Sequence, residues 1–558
     1  MRRYYLETYG CAANQADSAI MRGILEGAGF EAAASPEESD VVLINTCGVK
    51  SPTEDKIIDR LAELSRSGRP LVVAGCLTLI NWRRLVRAAD FGAALTPRSV
   101  HRVLEAVELA AADPRGRALL DSEGPPEKPD LSIPEGLVGT VEIEDGCTFS
   151  CSFCATKLSR GTTHSYGARS IVEAVRRMVR AGAREIRLTG QDVASYRDGA
   201  GGAELDLVGL VELIDSEVEG DYRLRIGMMT PVLAWRLSGR LPELYGRARV
   251  YKFAHIPVQS GSDRVLRLMR RGHGADLFLE LVRRLRSRVP MLTLETDVIV
   301  GHPGEDEDDF RMTLDLLRAT EPDVVNLSKY SNRPGTEASR MEQLPSQVVA
   351  ERSREAHREV MRMMEKRNSR WMGWRGRALV LERGTRPGTM IARNDWYKPI
   401  VIGGGARLLG RWIDVSVDGY TPVHLNGIVL SEDVSDRERI EDGVSGQAGA
   451  PRRARAVDRG RGHTGGGRQG AGSGAQGGRG PLGVRPRGPG QGRRPAGVRE
   501  RPHARGDVAP QGLRGRAPPP RVAGARVERR GGDGPGVDIL GKPGGRRGAA
   551  GLRNHLVR

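Results

Sequence analysis

Aromatic residues are scarce in this 558-residue chain, at 4% of the total, and none follows Tyr420. Cysteine is equally restricted, with six residues that all precede residue 155. No run of about 18 apolar residues occurs, which excludes a membrane-spanning helix. The opening MRRYYLETYGCAANQ lacks the apolar stretch of a secretory signal, so none is expected. From Pro451 to Arg558 there is one Lys among 25 basic residues, together with 29 of the 73 Gly and 12 of the 32 Pro. Such a segment cannot bury enough apolar surface to offset chain entropy. Residues 432–558 therefore read as a low-complexity Gly/Arg/Pro tail. It is either disordered by composition, a nonspecific RNA-binding arm, or the frameshift product of a GC-rich gene.

Charge follows the same division. The formal net charge is +17, but the segment from Pro451 onward holds 25 basic and 6 acidic residues, a net of +19. The first 450 residues hold 62 basic and 64 acidic residues, a net of −2. A basic pI is thus no evidence that the body of the protein binds nucleic acid. About 450 residues suit two or three domains. With no secretory signal expected, a cytoplasmic location follows, and its cysteines are metal ligands or catalytic thiols rather than a disulfide framework.

Hydrophobic patterning predicts a multidomain α/β chain. RYYLETYG, VVLINT (Val41–Thr46) and PLVVAG (Pro70–Gly75) are strand-like runs separated by helical stretches near residues 14–28 and 53–65. This rhythm predicts an N-terminal doubly wound parallel α/β domain over residues 1–115. The Pro-rich stretch DSEGPPEKPDLSIP marks a linker, set at residues 116–135. About six further strand–helix units predict a central (β/α) partial barrel over 136–370. It ends in a basic helix from Ser346 to Arg370. Short β-like runs such as RALVLERG, KPIVIGG and RWIDVSV then predict a small β-barrel at 371–431.

Cys147, Cys151 and Cys154 form C-x3-C-x2-C directly after a strand. Three thiolates can hold three irons of a cubane cluster and leave the fourth open to another ligand. A three-ligand zinc site or chance clustering is the alternative. Cys11, Cys47 and Cys76 each follow a strand candidate at intervals of about one βαβ unit. Carboxyl ends of parallel strands share one sheet edge, so these thiols should converge on a crevice. They form a second cluster site there, or are three ordinary buried cysteines.

The C-x3-C-x2-C motif, with Phe153 before its last cysteine, is the one seen in radical S-adenosylmethionine (SAM) enzymes. Together with ETYGCAANQADS, VLINTCGV, VAGCL, HIPVQSGSD, TDVIVGHPGE and KYSNRPGT, it makes residues 3 to about 431 resemble the radical-SAM methylthiotransferases. The stretches ATKLSRGTTHSY, LTGQDVASY and RMEQLP look most like the archaeal and eukaryotic threonylcarbamoyladenosine tRNA methylthiotransferase branch. Sister branches act on isopentenyladenosine in tRNA and on a ribosomal-protein aspartate; a non-catalytic, cluster-containing RNA-binding protein is a further alternative.

The resemblance implies two [4Fe-4S] clusters, one on Cys147, Cys151 and Cys154 and one on Cys11, Cys47 and Cys76. SAM would bind the first, and its reductive cleavage would give a 5′-deoxyadenosyl radical. The product would carry a methylthio group at C2 of N6-threonylcarbamoyladenosine beside the anticodon, at position 37. Phe153, Gly190, Gln191, Asp192, Arg225, Gln259, Glu295 and Gly301 are the expected SAM contacts. His302 reads as a loop residue rather than a ligand. The small barrel resembles a TRAM domain, an RNA-binding module, and the implied partner is tRNA. Trp371, Trp374, Trp396 and Tyr397 either stack on RNA bases or fill that barrel's core. Arg352, Arg354, Arg358, Arg362, Lys366, Arg367 and Arg370 either contact phosphates or form a solvated face. No motif specifies the electron donor or the sulfur donor.

Overall fold

The computed structural model describes residues 2–49, 51–122, 132–199 and 204–432. The tail expected at 432–558 lies, apart from its first residue, outside them.

The N-terminal domain is a six-stranded parallel sheet. Its strands run in the order Glu31–Ala32, Arg3–Thr8, Val41–Thr46, Leu71–Gly75, Ala93–Leu95 and Ala118–Leu120. All six residues of Val41–Thr46 are buried, as a strand covered on both faces requires. Val41 and Leu43 join one core, with Ile20, Met21 and Leu25 of helix Ala12–Gly27. Val42 and Ile44 join the other, with Ile57 and Leu61 of helix Ser51–Ser65. The domain is doubly wound, and strand order reverses between Arg3–Thr8 and Val41–Thr46. Ligands in such sheets bind outside the carboxyl ends at that switch point.

The last two strands have only three residues each, too few to show a period. Ala118–Leu120 pairs with Ala93–Leu95, so the first domain reaches into the segment expected as a linker from 116. Residues 123–131 of that segment are not among those described.

Six parallel strands form the central barrel. Val138–Glu142, Glu185–Thr189 and Arg223–Ile226 make one sheet, and Phe253–His255, Thr293–Val300 and Val324–Lys329 another. Parallel bridges Leu224–Val250 and Met228–His255 join the two. Helix Ala168–Arg180 shows how the outer layer seals: Ile171, Val172, Val175 and Met178 lie on one face and are buried. The fourth strand has only three residues, and Pro257 just beyond it has no amide to extend its ladder. Two helices, Pro231–Leu237 and Leu241–Gly246, had no counterpart in the sequence reading.

Helix Ser346–Ser369 leads to a closed five-stranded barrel over Arg375–Glu432. Two of its basic residues are structural. Arg352 is buried against Glu305 at 2.8 Å, and Arg367 against Asp323 at 3.0 Å. Arg354, Arg358 and Arg362 are exposed. Trp371, Trp374 and Trp396 pack edge to face at 5.4–6.4 Å, and Tyr397 is buried. Trp371 fills the small barrel's core with half-buried Trp374 and Trp396 packed against it, whereas Tyr397 packs on Tyr251 and Phe253 of the central barrel.

Candidate active site

Cys11 begins helix Ala12–Gly27, while Cys47 and Cys76 follow the two central strands of the sheet. Buried Asn14, in the helix's first turn, ties the three positions together. Its Oδ1 lies 3.7 Å from Cys11 Sγ and 3.8 Å from Cys76 Sγ. Its Nδ2 donates to Thr46 O, just before Cys47, at 2.7 Å. Gly10 closes the turn at φ +118°, where an added Cβ would sit 2.8 Å from Cys47 Cβ. Burial, with the charge of Cys76 and Cys11, pushes the Cys47 thiol up to about 12. Burial likewise raises Cys76, which also feels Cys11. Three thiols gathered at one sheet edge are a donor set that a metal can occupy by taking the place of protons. Cys47 and Cys76 are buried and Cys11 exposed, so the set opens to one side.

The Cys147–Cys154 loop is built by local geometry. Gly146 has φ +81°, and a Cβ there would meet Thr162 O at 2.1 Å. Cys154 N donates to Cys151 O at 3.1 Å, and Cys147 N to Gly161 O at 3.2 Å. Burial raises Cys147 to about 12, with Asp192 and the other two thiols adding to it. Burial also raises Cys151, opposed by Arg271, whose guanidinium lies 3.5 Å from its Sγ. This second set of three thiols fits the same kind of group.

The remaining expected residues divide. Gly190 has no room for a Cβ, because Glu144 Oε1 would lie 2.1 Å away. Gln191 Oε1 accepts from the Gly146 amide at 2.5 Å, pinning the cysteine loop. Asp192 accepts from Thr230 N at 3.1 Å and Thr230 Oγ1 at 2.6 Å, and burial pushes its pKa up to about 6. Gln259, at φ +75°, is buried with Oε1 lacking a hydrogen-bond partner among the described residues. An orphaned acceptor beyond the fourth strand fits a hydroxyl-bearing cofactor. Gly301 is dictated by packing, since a Cβ would meet Val349 at 2.6 Å. Phe153 lies edge-on to His302, 6.3 Å between centroids. His302 is fully buried and contacts Pro303 O, so its role is packing. Arg225 and Glu295 pair with each other at 3.8 Å, Arg225 from the third position of Arg223–Ile226 and Glu295 from the third position of Thr293–Val300.

Arg160 escaped the sequence reading. It is 1% exposed and bridges the two cysteine sets. One nitrogen donates to Asp17 at 2.6 Å and Asn14 Oδ1 at 3.2 Å; the other donates to Asp145 at 2.9 Å and Glu142 at 3.1 Å. Ala155, next to Cys154, packs against Cys76 and Ile80. The domains also meet through buried Glu54 and Arg333. The signal available for Arg160 was its place in the LSRG that follows the third cysteine.

Residues 141–317 match the Radical SAM superfamily, and residues 3–94 match Uncharacterized protein family UPF0004. The chain is 40% identical over 437 residues to a probable threonylcarbamoyladenosine tRNA methylthiotransferase of Archaeoglobus fulgidus, covering 77% of this chain and 99% of that protein. A protein of Pyrococcus horikoshii with the same name is 36% identical, covering 77% and 100%. A tRNA-2-methylthio-N(6)-dimethylallyladenosine synthase of Chloroflexus aurantiacus is 35% identical, covering 79% and 95%. The radical SAM domain brings SAM and an iron–sulfur cluster with it. The chain belongs to the radical-SAM methylthiotransferase family, in its archaeal and eukaryotic threonylcarbamoyladenosine tRNA methylthiotransferase branch.

Proposed function

We propose that the protein is a cytoplasmic enzyme that places a methylthio group on C2 of N6-threonylcarbamoyladenosine at position 37 of tRNA. The observation that carries this reading is that buried Arg160 ties Asn14 and Asp17, beside one three-thiol set, to Asp145, two residues before the first cysteine of the other. Cys147, Cys151 and Cys154 hold one [4Fe-4S] cluster, and Cys11, Cys47 and Cys76 hold the second. When bound, a cluster with SAM supplies radical chemistry that displaces an unactivated aromatic C–H, which acid–base side chains cannot do.

The chain's own groups organise that site. Gln191 holds the cysteine loop through the Gly146 amide. Gln259 offers its free acceptor to the cofactor. Arg271 places positive charge beside Cys151 and anchors to Pro257 O at 2.8 Å. Asn14 sets the spacing of the N-terminal thiols.

The test is mass analysis of tRNA nucleosides from a strain lacking the gene, with and without a plasmid copy. The methylthio derivative of threonylcarbamoyladenosine should vanish and then return. An unchanged level in the deletion strain overturns the reading.

A further inference from the structure

The central barrel's strands alternate between two faces. Leu188, Ile226, Ala254, Leu294 and Val298 belong to the core under the helices. The intervening Arg187, Arg225, His255, Glu295 and Asp297 therefore face the lumen. Register agrees: Arg187 lies opposite Arg225, His255 opposite Glu295, and Asp297 opposite Asn326. These five side chains are 14–26% exposed although they sit inside a barrel, so the lumen admits solvent. Tyr397 closes its floor, its hydroxyl donating to Glu185 at 2.9 Å and its ring 5.0 Å from that of Phe253.

Within this lumen the polar groups are held but not used up. Arg225 lies over Phe253 at 4.7 Å and Tyr397 at 5.5 Å. Its contact with Glu295, at 3.8 Å, is too long for a hydrogen bond. His255 meets Asp297 at 3.1 Å. Asn326 Nδ2 donates to Glu295 at 2.6 Å and to Asp297 at 2.8 Å. The ligand atoms of His255, Glu295 and Asp297 lie within 4.8 Å of one another, a spacing that suits a cation. The Asn326 amide protons point at both carboxylates, where they would repel one. The arrangement favours an organic ligand with its own donors and a negative group.

We propose that this lumen surface is the specificity pocket for the N6 substituent of the target adenosine. The inference rests on the function proposed above. A threonylcarbamoyl group carries a carboxylate, a hydroxyl and urea N–H groups. Arg225 takes the carboxylate by charge-assisted hydrogen bonds, while Glu295 and Asp297 accept from the hydroxyl or N–H. An isopentenyl group offers none of these and would leave the charged lining unpaired. Sites built for hydrogen bonding discriminate strongly against such analogues.

The test uses reconstituted full-length enzyme under anaerobic conditions. Anticodon stem-loop RNAs would carry threonylcarbamoyladenosine, isopentenyladenosine or plain adenosine. Wild-type enzyme should prefer the first. Arg225→Met should raise KM for that RNA by about 10-fold or more, with affinity for the plain RNA unchanged. Arg225→Lys should restore part of the preference. Asn326→Leu supplies the readout if Arg225→Met does not fold, and should erode the same preference. Full preference in a variant that melts like wild type overturns the pocket, as does a stoichiometric metal ion bound through His255. Wild-type preference for the isopentenyl RNA would instead overturn the function reading.

Discussion

Arg160 and Asp17 form an ion pair at 2.6 Å with both side chains essentially sealed from solvent, at 1% and 0% exposure. They are 143 residues apart and belong to different domains. The same guanidinium also meets Glu142 and Asp145. Burial disfavours its charge, yet Asp17, Asp145, Cys76 and Glu142 together hold its pKa well above the ordinary value. Removing one partner of a buried pair is costly because it strands the others.

Arg160→Gln should therefore destabilise the protein by about 3–5 kcal/mol. It should also loosen the N-terminal thiol set, whose Asn14 shares the guanidinium. The measurement is a melting curve paired with iron content per chain. An unchanged melting temperature with full iron would show that the bridge contributes little.

Replacing Cys11, Cys47 and Cys76 together with Ala should lower reconstituted iron from about eight to about four per chain. SAM cleavage should persist and methylthio transfer should stop. Retained transfer at the lower iron content would remove the second cluster from the mechanism.

Gly10→Ala tests the turn that delivers Cys11. The new Cβ would lie 2.8 Å from Cys47 Cβ, in a backbone conformation at φ +118° that L-residues rarely adopt. The expected cost is about 1–3 kcal/mol, with iron lost from the N-terminal set before the other. Equal loss from both sets in a spectroscopic titration would count against a local effect.

His255 should give a pH signature. Burial lowers its pKa, but the hydrogen bond and charge of Asp297, with Glu295, outweigh that and raise it above the ordinary imidazole value. Because the folded value is the higher one, protonated His255 stabilises the fold fully below pH 6.5. That contribution is lost as pH rises through the folded pKa. The stability gap between wild type and His255→Gln, measured by denaturant unfolding, should thus shrink as pH rises. A gap that widens would reverse the assignment.

Local features were legible where neighbours in sequence are neighbours in space. The strand expected at Val41–Thr46 occurs with those bounds, and the helix expected from Ser346 to Arg370 runs Ser346–Ser369, since apolar patterning is a short-range property. Ala93–Leu95 and Ala118–Leu120 were not foreseen, because three small or apolar residues carry no period and become strands only beside an existing sheet edge. The tryptophans illustrate the converse. Composition allowed both RNA stacking and core packing, and only the fold showed that Trp371 is buried, with Trp374 and Trp396 packed edge-on against it.

The amino-acid sequence by itself determined the two cysteine triplets, the strand rhythm that brings the first of them to one sheet edge, and the family. Tertiary structure alone decided that Arg160 spans the two sets, that Arg225 and Glu295 lie deep in the lumen, and that Tyr397 closes its floor. The physical reason is range. A thiol motif or an apolar period is written into consecutive residues, whereas a buried charge pairs with whatever the folded chain carries to it.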